Sequence, residues 1–170
     1  MGISGRFAQR THGLDDAPPL PMFAPLHRST ETLNVKRQSK VGDCGELSFV
    51  TQAEHAIDFS DDVMPAVLST PWLIWFLEHA ARNAVLPHLE EGESTVGVHV
   101  DVEHLAATPL GQQVHCKATV INVDRRLVTF RLEASDPHER IAIGIHRLRV
   151  IQCDKLKERV EAKANDLKRT

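Results

Sequence analysis

Apolar and polar positions alternate with a period of two along four stretches in the second half of the chain: Thr95–His104, Val114–Val123, Leu127–Ser135 and Ile141–Ile151. Strands place successive side chains on opposite faces, so each stretch predicts a half-buried β-strand. In the first, Val96, Val98, Val100 and Val102 share one face with His104, while His99, Asp101 and Glu103 take the other. Asp124-Arg125-Arg126, Asp136-Pro137-His138-Glu139 and Thr108-Pro109-Leu110-Gly111 supply the turns. Connections this short predict antiparallel neighbours. A shorter strand-like run, Leu47–Thr51, follows Gly45.

A different period occupies the stretch before these strands. From Trp72 to Leu86 the residues are apolar nearly all round the first two turns and Ala-rich afterwards, which predicts a helix enclosed on its faces. Thr70 is its expected N-cap and Pro71 its first helical residue, where a missing N–H costs nothing. Pro87 marks the end. One strand, one buried helix and four strands in series predict an α+β domain, a single antiparallel sheet wrapped around one helix. Such an arrangement leaves a sheet edge and part of the helix uncovered, so a homodimer is expected.

The ends read differently. Residues 1–40 carry Pro18, Pro19, Pro21 and Pro25 and no hydrophobic period, the signature of an extended tail. Arg6 and Arg10 precede the first acid, Asp15, so organellar targeting stands as a second reading, without the amphipathic stretch that would support it. The domain occupies 41–153. Residues 154–170 are dense in both charge signs, with Leu156, Val160 and Leu167 at roughly helical spacing, and predict a solvated charged helix.

Composition narrows the function. Lys and Arg number 20 against 23 Asp and Glu in 170 residues, and the aromatics are six Phe and two Trp with no Tyr. Neither a basic footprint nor stacking platforms for nucleic acid follow. No apolar run approaches the ~18 residues of a membrane span. Cys44, Cys116 and Cys153 are an odd number without CxxC spacing, which argues against a disulfide framework or zinc site and fits a cytoplasmic compartment.

Three residues stand out chemically. Glu78 sits among Trp75, Phe76, Leu77, Ala80 and Ala81 on the expected core helix; it is paired, protonated or faces a wet cavity, or else it pairs with Arg82 on an exposed edge. His104 finishes an apolar strand face, as a hydrogen-bonded core residue or as a general base. Thr70 is either a cap or a reactive hydroxyl. Eight residues separate Thr70 and Glu78, about 12 Å along an ideal helix, so they do not bond directly. Another element or another subunit has to join them. His12, His27, His55, His88, His115 and His138 have surface placement as their default.

The helix with Ser69-Thr70 at its start and Glu78 within it, then Gly92-Glu93-Ser94-Thr95-Val96-Gly97-Val98, then Val102-Glu103-His104-Leu105-Ala106-Ala107-Thr108-Pro109-Leu110-Gly111, resembles the fluoroacetyl-CoA thioesterase-like family from about Val41 to Ile151. The resemblance implies the hot dog fold, a homodimer and hydrolysis of short acyl-CoA thioesters, with coenzyme A entering as part of the substrate and no separate cofactor or metal. It places the reactive set on Thr70, Glu78 and His104, with Thr70 and His104 acting at the thioester carbonyl and Glu78 as base or nucleophile. Gly97 falls near the bound thioester. Asp61 and Met64 stand where the fluoroacetate-selective member has lid phenylalanines, and Leu148 where the family has an arginine, while His146 keeps the family's histidine. Those departures imply weak fluoroacetyl selectivity. Two other functions share this fold: a non-catalytic module binding an acyl-CoA or apolar ligand, and a hydroxyacyl-thioester dehydratase.

Overall fold

In the computed structural model a five-stranded antiparallel sheet curls around one long helix. The structure describes residues 38–59 and 63–167, all within the compact unit Val35–Thr170. The expected tail lies almost wholly outside the described residues, as does Asp61. The elements run β1 (Cys44–Val50), α1 (Thr70–Val85), β2 (Glu93–His104), β3 (Gln113–Asp124), β4 (Leu127–Ser135), β5 (Arg140–Gln152) and α2 (Cys153–Leu167). Across the sheet the order is β1-β3-β4-β5-β2, every pair antiparallel, so β1 and β2 are the two edges.

Alternation delivers the core. Val114, Cys116, Ala118 and Val120 of β3 and Val128, Phe130, Leu132 and Ala134 of β4 are buried with Leu73, Phe76, Leu77, Ala80, Ala81, Ala84 and Val85 of α1. Small residues meet where helix and strand approach most closely. A Cβ on Gly45 of β1 would collide with the Ala80 carbonyl and the Ala84 nitrogen, so only glycine fits there. Burial beside the helix also pushes the Cys116 thiol up to about 12.

Three local expectations are corrected. The strand β2 does not keep one face: its pairing with β5 shifts between Gly97 and His99, leaving Val98 as the extra residue of a bulge. Gly97 pairs with Leu148, then Val100 with His146, Val102 with Gly144 and His104 with Ala142. Gly97, rather than Val96 or Val98, therefore shares the inner face with His104. An isolated glycine within a strand signals this kind of break. Next, the N-cap of α1 is Ser69, and Thr70 is already helical. The Thr70 hydroxyl is thereby released from capping.

Finally, α1 is not enclosed all round. Trp75 is 39% exposed on the face the curled sheet does not reach. The open helix face is matched at the sheet edge, where Val98 and Val100 of β2 are each 46% exposed. One curled sheet of five strands covers only one side of a helix. No helix among the described residues is long and apolar enough to cross a membrane.

Candidate active site

The site residues gather in two groups, one at each half of α1. At the helix start, Thr70 Oγ1 lies 2.9 Å from Nδ1 of His104, which ends β2. Thr70 reaches it because the first turn of α1 passes the end of that strand, and because Ser69, not Thr70, is the cap. His104 Nε2 is buried without a hydrogen bond. Burial holds the His104 imidazole below the ordinary histidine pKa, opposed by the nearby Ala106 backbone. A neutral ring can accept a proton, the chemistry that a base or a group polarising the threonine hydroxyl requires.

Two turns along α1, Glu78 projects toward the bulge of β2. Its side chain is 43% exposed, with Oε2 at 3.7 Å from Nε2 of the buried His146 on β5. A Cβ on Gly97 would stand 3.2 Å from Glu78 Oε2 and 3.4 Å from Oε1. Gly97 thus leaves the space in which the carboxylate lies. Arg82 does not pair with Glu78; it donates to Ser94 Oγ at 3.1 Å and Thr95 Oγ1 at 3.0 Å. In place of an ion pair with Arg82, Glu78 is a half-exposed carboxylate beside Gly97 and His146. Both groups hold residues singled out in the sequence, joined by contacts that its pattern does not show.

His146 is 2% exposed, its Nδ1 at 2.7 Å from the His99 carbonyl oxygen. Burial lowers its pKa, opposed by Glu78 and by the His99 carbonyl. Met64 is 43% exposed and stands before the helix, whereas Asp61 lies outside the described residues. His79 is spent locally, donating from Nδ1 to the Trp75 carbonyl at 2.8 Å. His55, expected at the surface, is buried among the rings of Phe49, Trp72 and Phe76, and burial lowers its pKa against the pull of Glu54. A ring packed by aromatics gave no periodic signal in the sequence. Among the described residues no cluster of three or more His, Cys, Asp or Glu is placed to hold a metal ion.

Thr70–His104 and Glu78–Gly97–His146 on a curled sheet have known relatives. The sequence profile of the fluoroacetyl-CoA-specific thioesterases matches residues 50–154. The chain belongs to the fluoroacetyl-CoA-specific thioesterase family. It is 34% identical over 99 residues, 58% of this chain and 71% of the other, to the fluoroacetyl-CoA thioesterase of Streptantibioticus cattleyicolor. Among solved structures, a phenylalanine-to-alanine variant of the fluoroacetyl-CoA-specific thioesterase FlK superposes with a TM-score of 0.70 at 29% identity, covering 75% of this chain and 99% of that one. A thioesterase superfamily member from Thermus thermophilus gives 0.73 at 25% identity, over 79% and 99% of the two chains. The hot dog fold and the thioesterase class expected from the sequence both hold.

Proposed function

We propose that this thioesterase hydrolyses small-acyl CoA thioesters to the free acid and CoA, without strong preference for fluoroacetyl, and that it works as a homodimer whose active sites are shared between subunits. The FlK relative has been solved with fluoroacetate and CoA, and a threonine-to-serine variant of it with acetyl-CoA, which supports an acyl-CoA ligand. The observation that carries the reading is the pairing of Thr70 with His104 at 2.9 Å while Glu78 sits two turns away against Gly97.

That separation argues for sharing. Thr70 and Glu78 are about 12 Å apart along the helix, and a thioester group is only a few ångströms long. Within one protomer Thr70 pairs with His104 while Glu78 faces Gly97 and His146, which favours a thioester held between two subunits. The exposed edge of β2, the half-exposed Val98 and Val100 and the bare Trp75 face of α1 lie beside these groups and give a second copy its docking surface. In the proposed dimer two β2 edges meet, and Thr70 and His104 of one subunit would work with Glu78 of the partner subunit.

In this arrangement Glu78 acts as general base on the attacking water, and its half-exposed carboxylate is open to that water. Thr70, with His104 behind it, donates to the thioester oxygen as negative charge develops there. Gly97 leaves the space that lets the Glu78 carboxylate take this position. A cytoplasmic setting, where CoA thioesters are made, suits the reaction. The test is a hydrolysis screen over acyl-CoAs of increasing chain length, with thiol release measured for the native chain and for Glu78→Gln. Turnover of short acyl-CoAs that Glu78→Gln abolishes supports the reading. Binding of acyl-CoA with hydrolysis at background supports the non-catalytic module instead.

A further inference from the structure

His146 is a polar residue in a place that polar residues avoid. It faces inward from β5, flanked by Val100 of β2 and Phe130 of β4, and is 2% exposed. Nδ1 lies 2.7 Å from the carbonyl oxygen of His99. A carbonyl only accepts, so Nδ1 carries the hydrogen. In a neutral ring the lone pair is then on Nε2, which is buried and makes no hydrogen bond. What Nε2 faces is Glu78 Oε2, 3.7 Å away. A lone pair opposed to a carboxylate is a contact between two acceptors, and it becomes a hydrogen bond only when one proton enters it.

We infer that His146 is the positioning residue of Glu78 and the acceptor of the proton that Glu78 takes up during turnover. The inference rests on Glu78 being the general base proposed above. Water attacks the thioester carbonyl carbon as one of its protons moves to Glu78, forming a carboxyl O–H. That O–H then breaks and the Nε2 lone pair binds the proton, which restores the carboxylate and makes His146 an imidazolium. Both ring N–H groups are now satisfied, one by the His99 carbonyl and one by Glu78. When the tetrahedral intermediate collapses and the C–S bond breaks, the proton returns through Glu78 to the CoA thiolate. His146 touches no substrate atom at any point.

The surroundings allow this. Among the described residues the titratable groups acting on the ring are Glu78 of α1 and His99 of β2, while β4 contributes the apolar Phe130. A Cβ on Gly97 would stand 3.5 Å from His146 Cε1 as well as against both Glu78 oxygens, so Gly97 closes over the pair without prising it apart. The strand bulge at Val98 sets both the His99 carbonyl and Gly97 at the ring.

Nitrogen-15 NMR of the imidazoles in the whole protein reads the coupling without needing activity. The expected spectrum has His146 as the Nδ1–H tautomer with a titrating Nε2. Glu78→Gln, at a half-exposed position, should lower the His146 titration midpoint by about one pH unit, because an opposite charge that favours the imidazolium is gone. An Nε2–H tautomer, or a midpoint that Glu78→Gln leaves unmoved, overturns the inference. The kinetic arm uses His146→Phe. Its kcat should fall by about tenfold or more with KM unchanged, and the acidic limb of its kcat/KM profile should move toward that of a lone carboxylate. A purely packing role would lower activity with the limb in place, and that result also overturns it. If His146→Phe does not fold, the Glu78→Gln spectrum decides. If the native chain hydrolyses no acyl-CoA, the general-base reading fails while the spectrum still reports on the pair.

Discussion

Thr70 Oγ1 and His104 Nδ1 are 2.9 Å apart although they stand 34 positions apart in sequence. The contact exists because α1 starts where β2 ends, and because Thr70 is the first helical residue, with Ser69 at the N-cap position. The two side chains form one unit, a hydroxyl and an imidazole that is neutral at pH 7.

If that unit acts on the thioester, His104→Ala should reduce kcat by roughly 10²-fold or more, as for a positioned acid or base. Thr70→Val should give a comparable loss if its hydroxyl holds the developing oxyanion. Since Ser69 is the cap, Thr70→Val should leave the melting temperature close to native. Steady-state kinetics beside thermal melts separate the two effects; native kcat in folded His104→Ala would remove His104 from the chemistry.

Gly97→Ala tests the space beside the carboxylate. The added methyl would stand 3.2 Å from Glu78 Oε2, so the side chain has to give by a few tenths of an ångström. Gly97 has no left-handed backbone to protect, which predicts an intact fold and a loss in kcat/KM of about tenfold, since small misplacements of a reacting group are costly. Native kcat/KM in Gly97→Ala would mean that Glu78 can work from a displaced position.

The buried imidazoles predict a pH dependence. His55, His104 and His146 are all held below their ordinary pKa, chiefly by burial. Between the folded pKa values and the ordinary value of about 6.5, the unfolded chain binds more protons than the folded one. Stability is therefore full above that value and is lost as the pH falls below it. Melting temperature followed from pH 8 to pH 5 should be flat at first and drop below about 6.5. A profile that stays level to pH 5 would show that the rings protonate freely in the folded state.

Acyl selectivity should be weak. The family resemblance puts Asp61 and Met64 where the selective member has lid phenylalanines, and a pocket without that apolar seal would hold a small acyl group less selectively. The kcat/KM ratio of fluoroacetyl-CoA to acetyl-CoA should stay within about tenfold. A preference of several orders of magnitude would contradict the lid argument.

Strand positions and the long helix were legible because period two and period 3.6 leave plain marks, and β4 in particular runs over Leu127–Ser135 as its pattern predicts. What escaped the pattern was local. The bulge at Val98 reverses the facing of the first half of β2, and its only mark was Gly97 inside a strand. His55 is buried by aromatics that come from β1 and α1, a tertiary contact with no local period. Thr70, Glu78 and His104 could be picked out, yet the partition into two groups follows from the path of α1 across the sheet. The link from His146 to Glu78 depends on that path and on the bulge together.

The shared site is tested most directly by mixing two inactive variants, His104→Ala and Glu78→Gln, under conditions where subunits exchange. If Thr70 and His104 of one subunit work with Glu78 of the partner subunit, each mixed dimer holds one intact site and one doubly damaged site. Half the dimers are mixed at equal stoichiometry, so about a quarter of the native activity per chain should return, although neither variant alone has any. A site contained within one chain predicts no recovery at all. Activity that stays at the level of the separate variants after complete exchange would contradict the account.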